Sequence, residues 1–285
     1  PGYPALLVDN AHGAYLHFLP QDSHPIALGA AMCCDSAHKT LPVVTGGAYL
    51  HLGHNAPVQD EAAVRGALAL FGSTSPSYLI LQSLDACNAV LAEGYPRRLA
   101  HCCAALARLR SSLNEAAAAR HCPVPLAVAG AQQEPMKLTL DAAALGCTGT
   151  ALAEALRGAR LECEYADPRY VVLMFTPENP PQDYVRLQAA LEQLLAAVPA
   201  ALPRPADRAG EFAALQQAVQ RCTIRQAVLG AQVCIPVHKA LGRVCAMPTV
   251  SCPPAIPVAV SGEEITSAAI ALMQRYGIRE IAVRR

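Results

Sequence analysis

The chain has 285 residues, of which 53% are hydrophobic and 15% charged, a balance that excludes a disordered polymer and allows a large buried core. Basic and acidic residues number 22 each, so net charge recruits neither nucleic acid nor an anionic membrane. The longest apolar runs, such as Tyr170 to Phe175, fall far short of the roughly 20 residues that cross a bilayer, and no basic start leads into a signal-like segment, so a cytoplasmic protein of two or three domains is expected.

In chain order, Ala5 to Val8 predicts a short buried strand, Ala27 to Met32 a helical turn, and Thr45 to Leu52 a second strand, an alternation typical of α/β folds. From Gln59, the spacing of Val64, Leu68 and Phe71 after the Asn55-x-Pro57 start signal predicts a helix, and Tyr78 to Leu91 predicts another. Leu99, Cys102, Leu106, Leu109 and Leu113 mark one face of a longer helix that ends near His121-Cys122-Pro123. Beyond it strands are expected at Leu138 to Leu140, Arg160 to Glu164 and Tyr170 to Phe175, followed by a helix presenting Tyr184, Leu187, Leu191 and Leu194. The proline-bearing segment Pro199 to Asp207 suits a linker. A last unit is expected to end in a strand-like Ile256 to Val260, a helix from Glu263 and a strand Glu280 to Val283. The resulting division is 1–120, 121–203 and 204–285.

The 12 cysteines occur singly or as the adjacent pairs Cys33-Cys34 and Cys102-Cys103, without any Cys-x-x-Cys pair. They read as buried thiols in a reducing compartment, and no metal site is expected. Dinucleotide, P-loop, nucleophile-elbow and His-Glu-x-x-His motifs are all missing.

Two polar clusters remain. Asp9 follows a run of buried aliphatics and should project from the carboxyl end of a strand, where open α/β sheets place ligand-binding groups. Ser36-Ala37-His38-Lys39 follows another apolar approach, Met32-Cys33-Cys34, at the mouth of a neighbouring strand. Lysine is scarce, with Lys39, Lys137 and Lys239 set against nineteen arginines, and only Lys39 shares a predicted crevice with a carboxylate. A crevice lysine beside a strand-end aspartate suits a Schiff base with pyridoxal phosphate, the carboxylate pairing with the pyridine nitrogen so that the cationic ring can store electrons released at the substrate α-carbon.

Three segments together, Val8-Asp9-Asn10-Ala11-His12-Gly13, Ser36-Ala37-His38-Lys39-Thr40-Leu41 and Ser73-Thr74-Ser75-Pro76-Ser77-Tyr78, resemble the Orn/Lys/Arg decarboxylases in order and spacing. Glu164 to Leu173 is similar to that family's small domain, and Pro253 to Pro257 followed by Gly262-Glu263 to its C-terminal domain. The resemblance implies the aspartate-aminotransferase type of α/β fold: part of a large cofactor-binding domain, a smaller α/β domain, and a C-terminal domain peculiar to the family. It also implies decarboxylation of arginine, lysine or ornithine to a polyamine precursor, with Lys39 holding the cofactor and Asp9 facing the ring nitrogen. By the same resemblance, Ala11 packs on a ring face, His12 bonds near the phenolic oxygen, and Ser36 and His38 contact the phosphate and substrate sides respectively. Ser73 and Thr74 would reach the phosphate across the interface of a homodimer or higher homo-oligomer. Asn10 departs from the pattern, standing where the family commonly has an acid. The chain opens at Pro1 rather than methionine, and the expectation is that a segment bearing further phosphate contacts and a ring-stacking aromatic precedes it. Other readings are an α-oxoamine synthase or aminotransferase, which the His-Lys-Thr-Leu order speaks against, and a non-catalytic remnant.

Overall fold

The computed structural model describes residues 4–130, 133–199, 202, 215, 218–247 and 257–285. They divide into two compact units, one from Pro1–Arg110, Ala131–Leu138 and Met174–Arg186, the other from Ser111–Gly130, Thr139–Leu173 and Leu187–Arg285. Among the described residues no helix is long and apolar enough to cross a membrane.

In the first unit, β1 (Leu7–Asp9) pairs in parallel with β2 (Met32–Asp35), which pairs antiparallel with β3 (Tyr49–Leu52). The register sets Asp9 against Cys34, and Cys33 lies between Val8 and His51. Side chains alternate across a strand, so Asp9 and Cys34 share one face while Val8, Cys33, Asp35 and His51 share the other. The helical turn expected over Ala27 to Met32 is not formed. The turn instead lies earlier and closes at Gly29, whose φ of +99° suits a residue without a Cβ, and the amides of Ala31 and Met32 then pair with Leu6, committing Met32 to β2.

The one-turn helix α1 (Ala37–Thr40) follows β2 directly. Ala37 and Leu41 are buried with Ala14, Tyr15, Cys87, Tyr95, Leu99 and Met136, which seats the base of that helix in the core of the unit. Helix α2 (Glu61–Phe71) starts where the Asp60 carboxylate accepts the amide of Ala62, and α3 (Tyr78–Ala92) and α4 (Tyr95–Ala119) follow. On α4 the predicted stripe is buried throughout, from Leu99 to Leu113. On α2 it is not: Leu68 and Phe71 are exposed, and the helix has no buried residue.

In the second sheet, β4 (Lys137–Asp141), β5 (Tyr165–Ala166) and β6 (Tyr170–Met174) lie in the order β4-β6-β5. The strand expected at Arg160 to Glu164 is displaced to Tyr165. Arg160 and Leu161 are still ending α5 (Gly149–Gly158), with Arg160 at φ 61° and both amides bonded back to Arg157 and Leu156. Helix α6 (Pro181–Ala196) buries Leu187, Leu191 and Leu195, and Leu194 is only half-buried. Further on, α7 (Ile224–Leu229), opened by a Thr223/Gln226 capping box, and β7 (Gln232–Pro236) were not expected. β7 pairs antiparallel with β8 (Glu280–Arg284) over a core that includes Val237, Cys245, Ile265, Met273 and Val283. The helix expected from Glu263 begins only at Ser267 as α8 (Ser267–Arg275), because Glu263 and Glu264 bridge to Gln220 and Val244. Residues 257–260 form no strand, and nearly all of the Pro199–Asp207 linker, with 253–256, lies outside the described residues.

Candidate functional site

Asp9 and the Ser36–Lys39 segment stand at the carboxyl ends of two adjacent parallel strands, β1 and β2. Asp9, Asn10, Ala11, His12 and Gly13 line an open cavity of about 350 Å³ with Leu16 and Glu134. That is within the size range of small-molecule sites, roughly 300–1,000 Å³. Asp9 and Lys39 are exposed, and neither side chain has a hydrogen-bond or ion-pair partner among the described residues.

Helix α1 carries Lys39 and is tied down at its neighbour. The His38 amide donates to the Gly47 carbonyl at 3.2 Å, and His38 Nδ1 lies 3.0 Å from the same oxygen. A carbonyl can only accept, so Nδ1 carries the proton, and in the neutral ring Nε2 is left as an acceptor. Ser36, which precedes α1, accepts the Lys39 amide on its carbonyl at 3.0 Å. Ser36, His38 and Lys39 do not themselves line the cavity of Asp9. Nor do Ser73 and Thr74, which lie in the exposed turn between α2 and α3, where the Ser73 hydroxyl accepts the Ser75 amide at 3.1 Å.

Lys137 is nearer to this region than the sequence suggested. It pairs with Glu134, which lines the cavity and also accepts the Tyr15 hydroxyl at 2.9 Å. Burial, and then the Glu134 charge, raise the Tyr15 pKa far above that of an ordinary phenol, so Tyr15 donates at all physiological pH values. A carboxylate with two such partners is a structural tie, and Lys39 remains the unpaired lysine of the two.

Sequence reasoning missed a second carboxylate. Asp35 ends β2 as Asp9 ends β1, and the argument from strand ends applies to both. It is 2% exposed and accepts four hydrogen bonds: from Asn10 Nδ2 at 2.8 Å, His24 Nε2 at 2.9 Å, His51 Nε2 at 2.9 Å and the Cys33 thiol at 3.4 Å. Burial opposes its ionisation, but the bonds from His51, Asn10 and His24 outweigh burial and hold the carboxyl well below the usual carboxylate range. Burial and the Asp35 charge push the Cys33 thiol up to about 12.

These donors suit pyridoxal phosphate. Asp9 offers an unpaired carboxylate at the cavity and Lys39 an unpaired primary amine at the next strand end. Gly13 keeps the loop tight, since a Cβ there would collide with the side chain of Asn10.

Comparison with known proteins agrees with this architecture. Residues 3–136 match the family described as Orn/Lys/Arg decarboxylase, major domain. An arginine decarboxylase of Bacillus subtilis is 31% identical over 271 residues, covering 92% of this chain and 53% of its own length. Among solved structures, the lysine decarboxylase of Francisella novicida superposes with a TM-score of 0.72 at 16% identity, over 98% of this chain and 53% of its own. The constitutive lysine decarboxylase of Escherichia coli gives 0.69 at 17% identity, over 99% of this chain and 54% of its own. Those structures share the mixed α/β decarboxylase fold with this chain, which spans about half the length of the relatives it matches. On these sequence matches, residues 3–136 carry the major domain of the Orn/Lys/Arg decarboxylase family.

Proposed function

We propose that this chain carries the lysine-bearing part of a pyridoxal-phosphate-dependent decarboxylase acting on arginine, lysine or ornithine. The observation that supports it best is the placing of Asp9 and Lys39, both without side-chain partners among the described residues, at the carboxyl ends of adjacent parallel strands. Bound there, the cofactor would supply an electron sink for the pair released when the substrate carboxylate leaves as carbon dioxide.

The residues themselves divide the tasks. Lys39 would hold the cofactor through its amine, the position that the substrate amine would take over. Asp9 would face the ring nitrogen, where a neighbouring carboxylate favours the protonated ring. Ala11 and His12, on the wall of the same cavity, would pack on the ring and bond near its phenolic oxygen. His38, fixed by Gly47 with Nε2 left as an acceptor, would face the substrate side, and Ser36 with a partner subunit's Ser73 and Thr74 would contact the phosphate. The reading therefore includes a homodimer or larger homo-oligomer and a cytoplasmic location, and it keeps the division 1–120, 121–203 and 204–285 and the aspartate-aminotransferase fold type.

Carbon dioxide release from arginine, lysine and ornithine by the full-length protein tests the assignment. The Asp9→Asn variant should keep the fold and lose about a hundredfold or more in turnover, since an amide cannot hold the ring proton and each pKa unit is worth about 1.4 kcal/mol. Wild-type turnover in that variant, or release from none of the three substrates by the wild type, contradicts the proposal.

A further inference from the structure

The Asp35 cluster lies behind the proposed site. Cys33, Asp35 and His51 share the sheet face opposite Asp9, and Asn10, next after Asp9, turns its amide onto Asp35. The backbone repeats the tie, with the Asn10 amide donating to the Cys34 carbonyl at 2.8 Å. Asp35 is followed at once by Ser36 and the lysine-bearing helix. One buried carboxylate thus bonds to the segment after β1, to β3 through His51, and to the β1–β2 connection through His24.

Two chemistries fit such a cluster. The ligand atoms of His24, Cys33 and Asp35 lie within 4.8 Å of one another, close enough to share a divalent cation. Proton placement argues otherwise. His24 Nδ1 accepts the Ile26 amide at 3.3 Å, so the proton of the neutral ring is on Nε2, the atom aimed at Asp35, where a metal would need a lone pair. His51 Nε2 likewise sits at hydrogen-bonding distance, 2.9 Å, from the same oxygen. The titratable groups facing Asp35 are then His24, His51 and Cys33, all donating, and the next carboxylate, Asp22, bonds the His24 amide at 2.9 Å instead.

We propose that Asp35 is a positioning residue: through Asn10 it locks the end of β1 to the end of β2 and so fixes the spacing between Asp9 and Lys39. This rests on the functional reading above, but the lock itself is measurable without cofactor. Hydrogen exchange would be followed in the cofactor-free, full-length protein and in its Asp35→Asn, Asn10→Ala and Asn10→Asp/Asp35→Asn variants. The first two should speed exchange about fivefold or more in both 10–13 and 36–39 and leave α4 unchanged, because only the local tie is lost. The double variant, which reverses donor and acceptor, should return both segments to within about threefold of wild type. With cofactor and substrate, the two single variants should lose about tenfold in kcat with KM within about threefold, and the double variant should regain it. Should Asp35→Asn unfold, with α4 exchanging too, Asn10→Ala carries the test, since it leaves the carboxylate with both histidines. Faster exchange confined to the substituted segment, wild-type kcat in Asn10→Ala, or one zinc ion per chain lost on mutating Asp35 would each overturn the lock. Failure of the wild type to attach cofactor at Lys39 would overturn the functional reading and leave the exchange result standing.

Discussion

Cys33 and Cys34 are neighbours in sequence and opposites in chemistry. Alternation along β2 buries Cys33 beside Asp35 and exposes Cys34 on the face of Asp9. Thiolate is the reactive form, so iodoacetamide at pH 8 should modify Cys34 in the native protein while Cys33 reacts only on unfolding. Equal rates at the two sites would show that β2 is out of register. Asp35 also gives the fold a pH dependence of known sign. Its folded pKa is lowered, so its stabilisation is complete above the unfolded value of about 3.9 and is lost as pH falls below it. Denaturation of wild type and Asp35→Asn across that range should show a shallower decline in the variant, and parallel curves would refute the role. The strand-end positions of Asp9 and Lys39 were legible in the sequence because each follows an apolar run that reads as a strand. Asp35 was not, because its meaning comes from donors 11, 16 and 25 residues away, brought to it by strand pairing.

Helices show where periodicity suffices and where it does not. On α4 the spacing of Leu99 to Leu113 predicts both helix and buried face, and the structure buries them all. On α2 the same spacing predicts the helix, yet Phe71 is 92% exposed. Periodicity identifies an apolar face without saying what covers it. Leu106→Ala, at a fully buried α4 position, should therefore cost about 2–5 kcal/mol in urea denaturation, while Phe71→Ala in a monomeric sample should stay within about 0.5 kcal/mol. A larger loss at Phe71 would mean that α2 packs inside the monomer. Strand bounds were harder to read. Arg160 to Glu164 alternates polar and apolar residues as a strand does, but Arg160 and Leu161 still close the end of α5, a demand that depends on backbone carbonyls rather than side chains. The strand β7 was missed for a related reason: its partner β8 lies near the chain end, and only their pairing gives Gln232–Pro236 a defined face.

For the whole molecule, the family match rests on residues 3–136 and on relatives about twice as long, while the proposed catalysis rests on one pair of side chains. The α/β fold was legible because apolar strands alternate with amphipathic helices through the first unit. The proposed cofactor chemistry rests on the scarcity and placing of lysine, on Asp9 and on the three motifs. Borohydride reduction of the cofactor-loaded, full-length protein, followed by peptide mapping, tests that chemistry most directly. A pyridoxyl group is expected on Lys39 and none on Lys137, which is held by Glu134, or on Lys239. Labelling of either of those lysines with Lys39 unmodified would contradict it.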